Sequence, residues 1–273
     1  MQGLEIDCEL VRKIVTGFVR NEITKFGFER AVVAMSGGVD SSLSAFIGAE
    51  ALGAENLLGV FMPYSSSSPD SLTDAQAAAE QLGIETTTID ITPMVDAYFQ
   101  QFPDADRMRR ANKMARERMT IAYDISALRG AMVLGTSNKT ESLLGYTTLW
   151  GDMACAVNPI GDLYKTQVRQ LARHMGVPEK IVSKSPTADL WPGQTDEGEL
   201  GFTYEEVDKI LYALVDERRS GEDVIGAGFE EAFVKRVQDM VRGSQYKRRL
   251  PLVAKISPRS IDRDFRYARD WGR

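Results

Sequence analysis

The sequence predicts a doubly wound α/β fold, a parallel sheet with flanking helices on both faces. Two observations carry this. Short apolar, β-branched runs alternate with stretches of helical periodicity, and each run ends at a glycine, proline or serine cluster that turns the chain. Strands that alternate with helices are joined by right-handed crossovers, and such crossovers make the sheet parallel.

The elements follow in order. Leu10, Val11, Ile14, Val15, Phe18 and Val19 place a broad apolar stripe on an N-terminal helix over residues 5–25. Lying ahead of the first strand, that helix need not cover the sheet, and it is expected to serve an interface. Residues 30–35 form the first strand, 36–42 a glycine turn, and apolar residues then recur at helical spacing through Leu52. A second strand over 56–62 stops at Pro63, a helix over 71–82 is closed by Gly83, and a third strand covers 84–91. A long, arginine-rich helix over 104–129 leads to a fourth strand at 131–135. Helices over 167–175 and 204–218 follow, within a C-terminal helical part at 202–250. Pro186, Pro192, Gly193 and Gly198 interrupt any periodicity in 183–201, which predicts a mobile loop. No repeat or linker divides the chain, so residues 1–273 are expected to be one domain.

Composition removes several function classes. With 43% hydrophobic and 26% charged residues, the chain is an ordinary globular one and neither a disordered nor a coiled-coil protein. No segment approaches the ~20 apolar residues of a membrane span. The first ten residues carry Glu5, Asp7 and Glu9 but no basic group, unlike a signal peptide. Two cysteines, Cys8 and Cys155, are too few for a disulfide framework, so a cytoplasmic location is expected. A net charge of −6 argues against nucleic acid as the main partner. The single histidine, His174, excludes histidine-based zinc sites and triads, leaving carboxylates, lysines, arginines or a metal to do chemistry.

The chemistry concentrates after the first strand. Ser36, Gly37, Gly38, Val39, Asp40, Ser41 and Ser42 join strand to helix, where glycines let backbone N–H groups approach a phosphate at the positive end of the helix. The spacing is neither that of a Walker loop nor that of a dinucleotide fingerprint. Asp40 repels phosphate unless a cation intervenes, and Mg²⁺ is the natural mediator.

This loop resembles that of enzymes that cleave ATP between its α and β phosphates. Five further segments, at 112–119, 135–141, 158–166, 186–190 and 196–201, follow in an order that resembles the ammonia-dependent NAD synthetase family of pyrophosphate-loop enzymes, over nearly the whole chain. The resemblance implies an adenine nucleotide alpha hydrolase-like, Rossmann-like fold. It implies a ligase that adenylates deamido-NAD with ATP, releases pyrophosphate, and lets ammonia displace AMP to give NAD. It also implies a homodimer binding its substrates across the interface.

Residue by residue, it implies metal binding by Asp40 and Glu141, ATP contacts by the 36–42 loop, Thr136, Lys165 and Thr187, and substrate contacts by Arg116 and Lys247. Asp152 and Lys165 are the implied catalytic residues, Asp152 as the group that holds and deprotonates ammonium. The loop around Thr187 is expected to close over ATP. Arg109, Lys113 and Arg116 share one helical face, and Lys247 reads equally well as an exposed charge near a helix end. The family's usual lysine and aspartate near Asp152 are Leu149 and Ala156 here, with Tyr146 or Trp150 available as stacking surface. Cys155 reads as a small buried residue. No glutamine-hydrolysing domain precedes residue 30, so free ammonia is the implied donor. The alternatives are a pyrophosphate-loop enzyme adenylating a different carboxylate or a tRNA base, and a non-catalytic ATP sensor.

Overall fold

The computed structural model describes residues 2–187, 196–249 and 251–259. Four strands, β1 (Arg30–Ala34), β2 (Leu57–Phe61), β3 (Glu85–Thr88) and β4 (Ala131–Leu134), pair in parallel in the order β3-β2-β1-β4. The register puts Val32 beside Leu58 and Val133, so the middle of β1 is covered on both edges. Successive side chains of β1 enter opposite cores. Ala31 and Val33 pack with the helices on one face, whereas Val32 packs with Leu58 and Val60 on the other.

The helices are α1 (Cys8–Thr24), α2 (Val39–Leu52), α3 (Pro69–Leu82), α4 (Thr92–Phe99), α5 (Arg107–Arg129), α6 (Lys139–Leu144) and α7 (Lys165–His174). After them come α8 (Glu179–Val182), α9 (Asp196–Leu200), α10 (Tyr204–Leu211), α11 (Gly221–Gly226) and α12 (Glu231–Gly243). Cores on the two sheet faces are joined by a third, built around Val207, Ile210 and Leu211 of α10 and Val234 and Val237 of α12. None of the described helices is long and apolar enough to cross a membrane.

Local signals explain most boundaries. Asp106 caps α5 by accepting from the Arg109 N–H at 2.8 Å, and Gly130 ends it in the left-handed region. Four differences from the sequence reading have physical causes. α4 lies between the third strand and the long helix, where a helix of eight residues with Pro93 in its first turn leaves little periodicity. β3 keeps only four ladder residues, Glu-Thr-Thr-Thr, because an edge strand needs little burial. α1 turns Val15, Val19 and Ile23 into the core with α2 and α7, leaving Leu10 and Ile14 exposed, so most of its stripe is internal. Within the segment expected to be a loop, 188–195 lies outside the described residues, and residues 196–200 form α9.

Candidate active site

Chain order fixes where a site can form. After β3 the chain crosses the sheet to place β4 on the far side of β1, so connections leave β1 and β4 toward opposite faces and open a crevice at their C-terminal ends. The 36–42 loop leaves β1 there, and Thr136 to Glu141 leave β4.

The glycine loop is held by its own serines. The Ser36 N–H donates to Ser41 Oγ at 3.1 Å, and Ser41 Oγ donates to the Gly38 carbonyl at 3.1 Å. Gly37 has φ +82°, and a Cβ there would come within 2.0 Å of the Ser71 carbonyl oxygen on α3. Only glycine fits that position.

Asp40, Glu141 and Lys165 come together although far apart in sequence. Lys165 Nζ donates to Asp40 Oδ2 at 2.5 Å and to Glu141 Oε1 at 2.9 Å, and lies 5.0 Å from the centre of the Tyr204 ring. Burial works to neutralise this lysine, but Asp40 and Glu141 outweigh it and raise its pKa, so the ammonium stays charged. Glu141 shows the opposite balance. Desolvation, with Asp40 adding to it, pushes its carboxyl up to about 7 against the pull of Lys165. A side chain still 16% exposed and so strongly desolvated lies at the bottom of a cleft rather than in a sealed core.

Residues that sequence reasoning passed over build this triad. Asn138, fully buried, caps α6 by accepting from the Glu141 N–H at 2.9 Å while its Nδ2 donates to Asp40 Oδ1 at 2.8 Å. One asparagine thus holds the Asp40 carboxylate and fixes the start of the helix that carries Glu141, and its N-cap position ahead of α6 was the available signal. Thr136, half-buried, lies two residues before this cap. Asp208 of α10 accepts from Thr140 Oγ1 at 2.5 Å and from the Thr166 N–H at 2.8 Å, which fixes the starts of α6 and α7 relative to each other. Asp196, buried and with its carboxyl raised by desolvation, receives the Tyr146 and Tyr204 hydroxyls. The Tyr146 hydroxyl is therefore held by carboxylates of α9.

Arg116, Asp152 and Lys247 meet at a second locus, the loop 145–152. Arg116 donates through Nε and Nη2 to the Leu149 carbonyl at 3.2 Å each, and Lys247 Nζ donates to the Gly145 and Thr147 carbonyls at 2.7 Å each. Lys247 is thus half-buried and bonded rather than an exposed charge. Asp152, exposed at the loop's surface, accepts through Oδ1 from the Thr148 N–H at 2.7 Å; the atoms packed around its carboxyl raise its pKa, opposed by Thr148 and the nearby charge of Lys247. Ser137 Oγ, next to Thr136, reaches the Asp152 carbonyl at 3.3 Å and joins the two loci. Trp150 projects from this loop, about half exposed, with φ +58°. Arg109 and Lys113 are no bare basic stripe either. Each lies 5.5 Å from an aromatic centroid, Arg109 over Phe102 and Lys113 over Tyr98, and Lys113 also pairs with Glu117. Thr187, half-buried, follows Pro186, whose carbonyl accepts from the Asp196 N–H at 2.9 Å.

The model of the NAD synthase family matches residues 10–251. The chain belongs to this family. Among its relatives is the NH(3)-dependent NAD(+) synthetase of Trichlorobacter lovleyi, 57% identical over 273 residues and the full length of both chains. The solved NMN synthetase from Francisella tularensis is 28% identical with a TM-score of 0.81, covering 92% of this chain and 99% of that one. The NH3-dependent NAD synthetase from Campylobacter jejuni, in complex with a nitrate ion, is 30% identical with a TM-score of 0.79 over 92% and 100%. Against the NAD synthase pattern, Leu149 contributes a backbone carbonyl to Arg116, and Ala156 is exposed beside β4, its N–H donating to the Val133 carbonyl at 2.9 Å. Cys155 packs against Gly135, where a Cβ would come within 2.6 Å of its Sγ, and burial pushes its thiol up to about 11.

Proposed function

We propose that this protein converts deamido-NAD to NAD by ATP-driven amidation with ammonia. The observation that carries the reading is the convergence of Asp40, Glu141 and Lys165 beside the glycine loop at the sheet's switch point, with Asp152 joined to it through Ser137.

ATP phosphates bind where the 36–42 loop meets the N-terminus of α2, whose first N–H groups have no partners within the helix. Lys165, held charged by its two carboxylates, stabilises the negative charge that develops as the substrate carboxylate attacks the α-phosphorus and pyrophosphate leaves. Asp40 and Glu141 suit Mg²⁺. Both offer hard oxygen donors within reach of one cationic point, and the desolvated Glu141 carboxyl is a group that a cation would relieve. Two carboxylates would leave the other octahedral positions to phosphate and water oxygens. Bound there, the ion would neutralise the departing pyrophosphate.

The second half-reaction belongs to the 145–152 loop. Asp152 accepts a proton from ammonium, ammonia attacks the carbonyl carbon of the acyl adenylate, AMP departs with the electrons of the broken C–O bond, and the attacking nitrogen loses a second proton to water to leave the neutral amide. A carboxylate whose pKa is raised is a better base than an ordinary one. Arg116 and Lys247 hold the walls of this loop and offer positive charge to an anionic dinucleotide.

The protein is a homodimer in this reading, and its contact lies on α4, the turn after it, and α5. There Met94, Tyr98, Phe102, Met108, Tyr123 and Leu128 are exposed, whereas most of the α1 stripe is internal. An exposed apolar set of this kind marks an interaction surface. A monomer in light scattering at micromolar concentration would contradict it. Residues 1–273 act as one unit in this reading, and urea unfolding followed by both fluorescence and circular dichroism is expected to give one coincident transition. The functional test is NAD and AMP formation from ATP, Mg²⁺, deamido-NAD and ammonium; absence of both products would refute the reading.

A further inference from the structure

Asp74 lies on α3, outside every segment assigned to the site, and is 3% exposed. Its Oδ1 accepts from Lys180 Nζ at 2.6 Å and its Oδ2 from Lys184 Nζ at 2.8 Å. Burial raises its carboxyl, yet the two lysines more than offset this and leave the pKa below the ordinary value. Both lysines reach this one carboxylate. They differ in character: the Lys180 side chain is 68% exposed and the Lys184 side chain 27%.

Two contacts tie this pair to ATP-binding elements. Lys184 Nζ also reaches Ser71 Oγ at 3.4 Å, and the carbonyl of Ser71 is the atom that a Cβ on Gly37 would strike. Thr187 follows Lys184 by three residues, a span of at most about 10 Å of chain. One turn of α3 therefore touches the glycine loop through its backbone and anchors the approach to Thr187 through its side chains. A buried carboxylate that loses its partner is costly, so the pairing specifies one position for Lys184.

We propose that Asp74 and Lys184 are a positioning pair that sets the distance between the glycine loop and Thr187, and so tunes ATP affinity without touching the reacting atoms. This rests on the reading of the crevice as an ATP site. Lys180, exposed and seven residues before Thr187, contributes little to that distance.

The experiment measures the ATP dissociation constant by calorimetry with Mg²⁺, and KM for ATP, deamido-NAD and ammonium, in Asp74→Asn, Lys184→Met, the double variant and Lys180→Ala. The expected result is a roughly 5- to 20-fold weaker ATP affinity in Asp74→Asn and Lys184→Met, the range of a broken charge-assisted hydrogen bond. The double variant is expected to be no weaker than either single one, with the other two KM values and Lys180→Ala within about 2-fold of wild type. Lys184→Met leaves Asp74 paired with Lys180 and carries the test if Asp74→Asn does not fold. Unchanged ATP affinity in folded Lys184→Met, or an equal rise in all three KM values, overturns the proposal. Wild type that fails to bind ATP overturns the functional reading and this one together; wild type that binds ATP while the variants match it overturns this one alone.

Discussion

Replacing Lys165 with methionine removes the one positive charge that the structure places between Asp40 and Glu141. Lys165 is 3% exposed, and its Nζ lies 2.5 and 2.9 Å from the two carboxylates. Methionine fills the volume but leaves two carboxylates facing each other. Breaking a buried ion pair by deleting one partner costs about 3–5 kcal/mol. Because the Asp40 and Glu141 side chains retain 15% and 16% exposure, water recovers part of that cost. The loss of unfolding free energy is then about 3 kcal/mol, or roughly 6–12 °C in Tm for a domain of this size. Mg²⁺ restores part of it, since a ligand that binds only the folded state stabilises that state. NAD formation falls by a factor of about 10²–10³ or more, as when a preorganised charge is withdrawn from a transition state. Urea denaturation with and without Mg²⁺, followed by turnover assays on the folded variant, reads both effects. Wild-type stability together with wild-type turnover in Lys165→Met would refute the triad as a functional unit.

Further expectations follow from single positions. Gly37→Ala combines a left-handed φ with a Cβ 2.0 Å from the Ser71 carbonyl, so it is expected to lose more than about 1 kcal/mol of stability and to raise KM for ATP, checked by thermal melts and initial rates. Asp152→Asn should lower kcat about 10²-fold while ATP still binds. Because the Asp152 pKa is raised, the wild-type base loses its proton-accepting form as the pH falls through a value above the ordinary ~4. The acid limb of the kcat profile is therefore expected above that pH in wild type and absent in the variant. Cys155, pushed up to about 11, should have a thiolate fraction near 10⁻³ at pH 8, so iodoacetamide should label it a few hundred-fold more slowly than an exposed thiol, as followed by mass spectrometry. Asp40→Ala is expected to abolish AMP formation, and retained turnover would remove it from the mechanism.

Much of the fold was legible because β1, β2 and β4 each carry an apolar run of their own. The run ahead of Ser36 is apolar and β-branched, and the two glycines after it have no role in a strand or a helix interior. Less was legible where an element depends on its neighbours. The third strand was expected over 84–91, but only Glu85–Thr88 pair with β2, so its extent depends on that neighbour, and α9 contains Gly198, which reads as a breaker. In the site, the Asp40–Lys165 contact spans 125 residues, a separation that only the motif order suggested. Lys247 bonds to backbone carbonyls, which leave no mark in sequence, so its buried role could not be told from surface charge. Asn138 and Asp208 act through helix starts, where the capping pattern hints at the first and nothing points to the second.

The central claim is that this site joins ATP cleavage to amide formation on deamido-NAD. The most direct measurement incubates purified protein with ATP, Mg²⁺, ammonium and deamido-NAD, or its mononucleotide counterpart, and follows products by chromatography. The account predicts NAD and AMP in equal amounts from deamido-NAD with ammonium alone. Cleavage of ATP without NAD, or amidation of the mononucleotide only, would contradict it and identify Leu149 and Ala156 as marks of a different substrate.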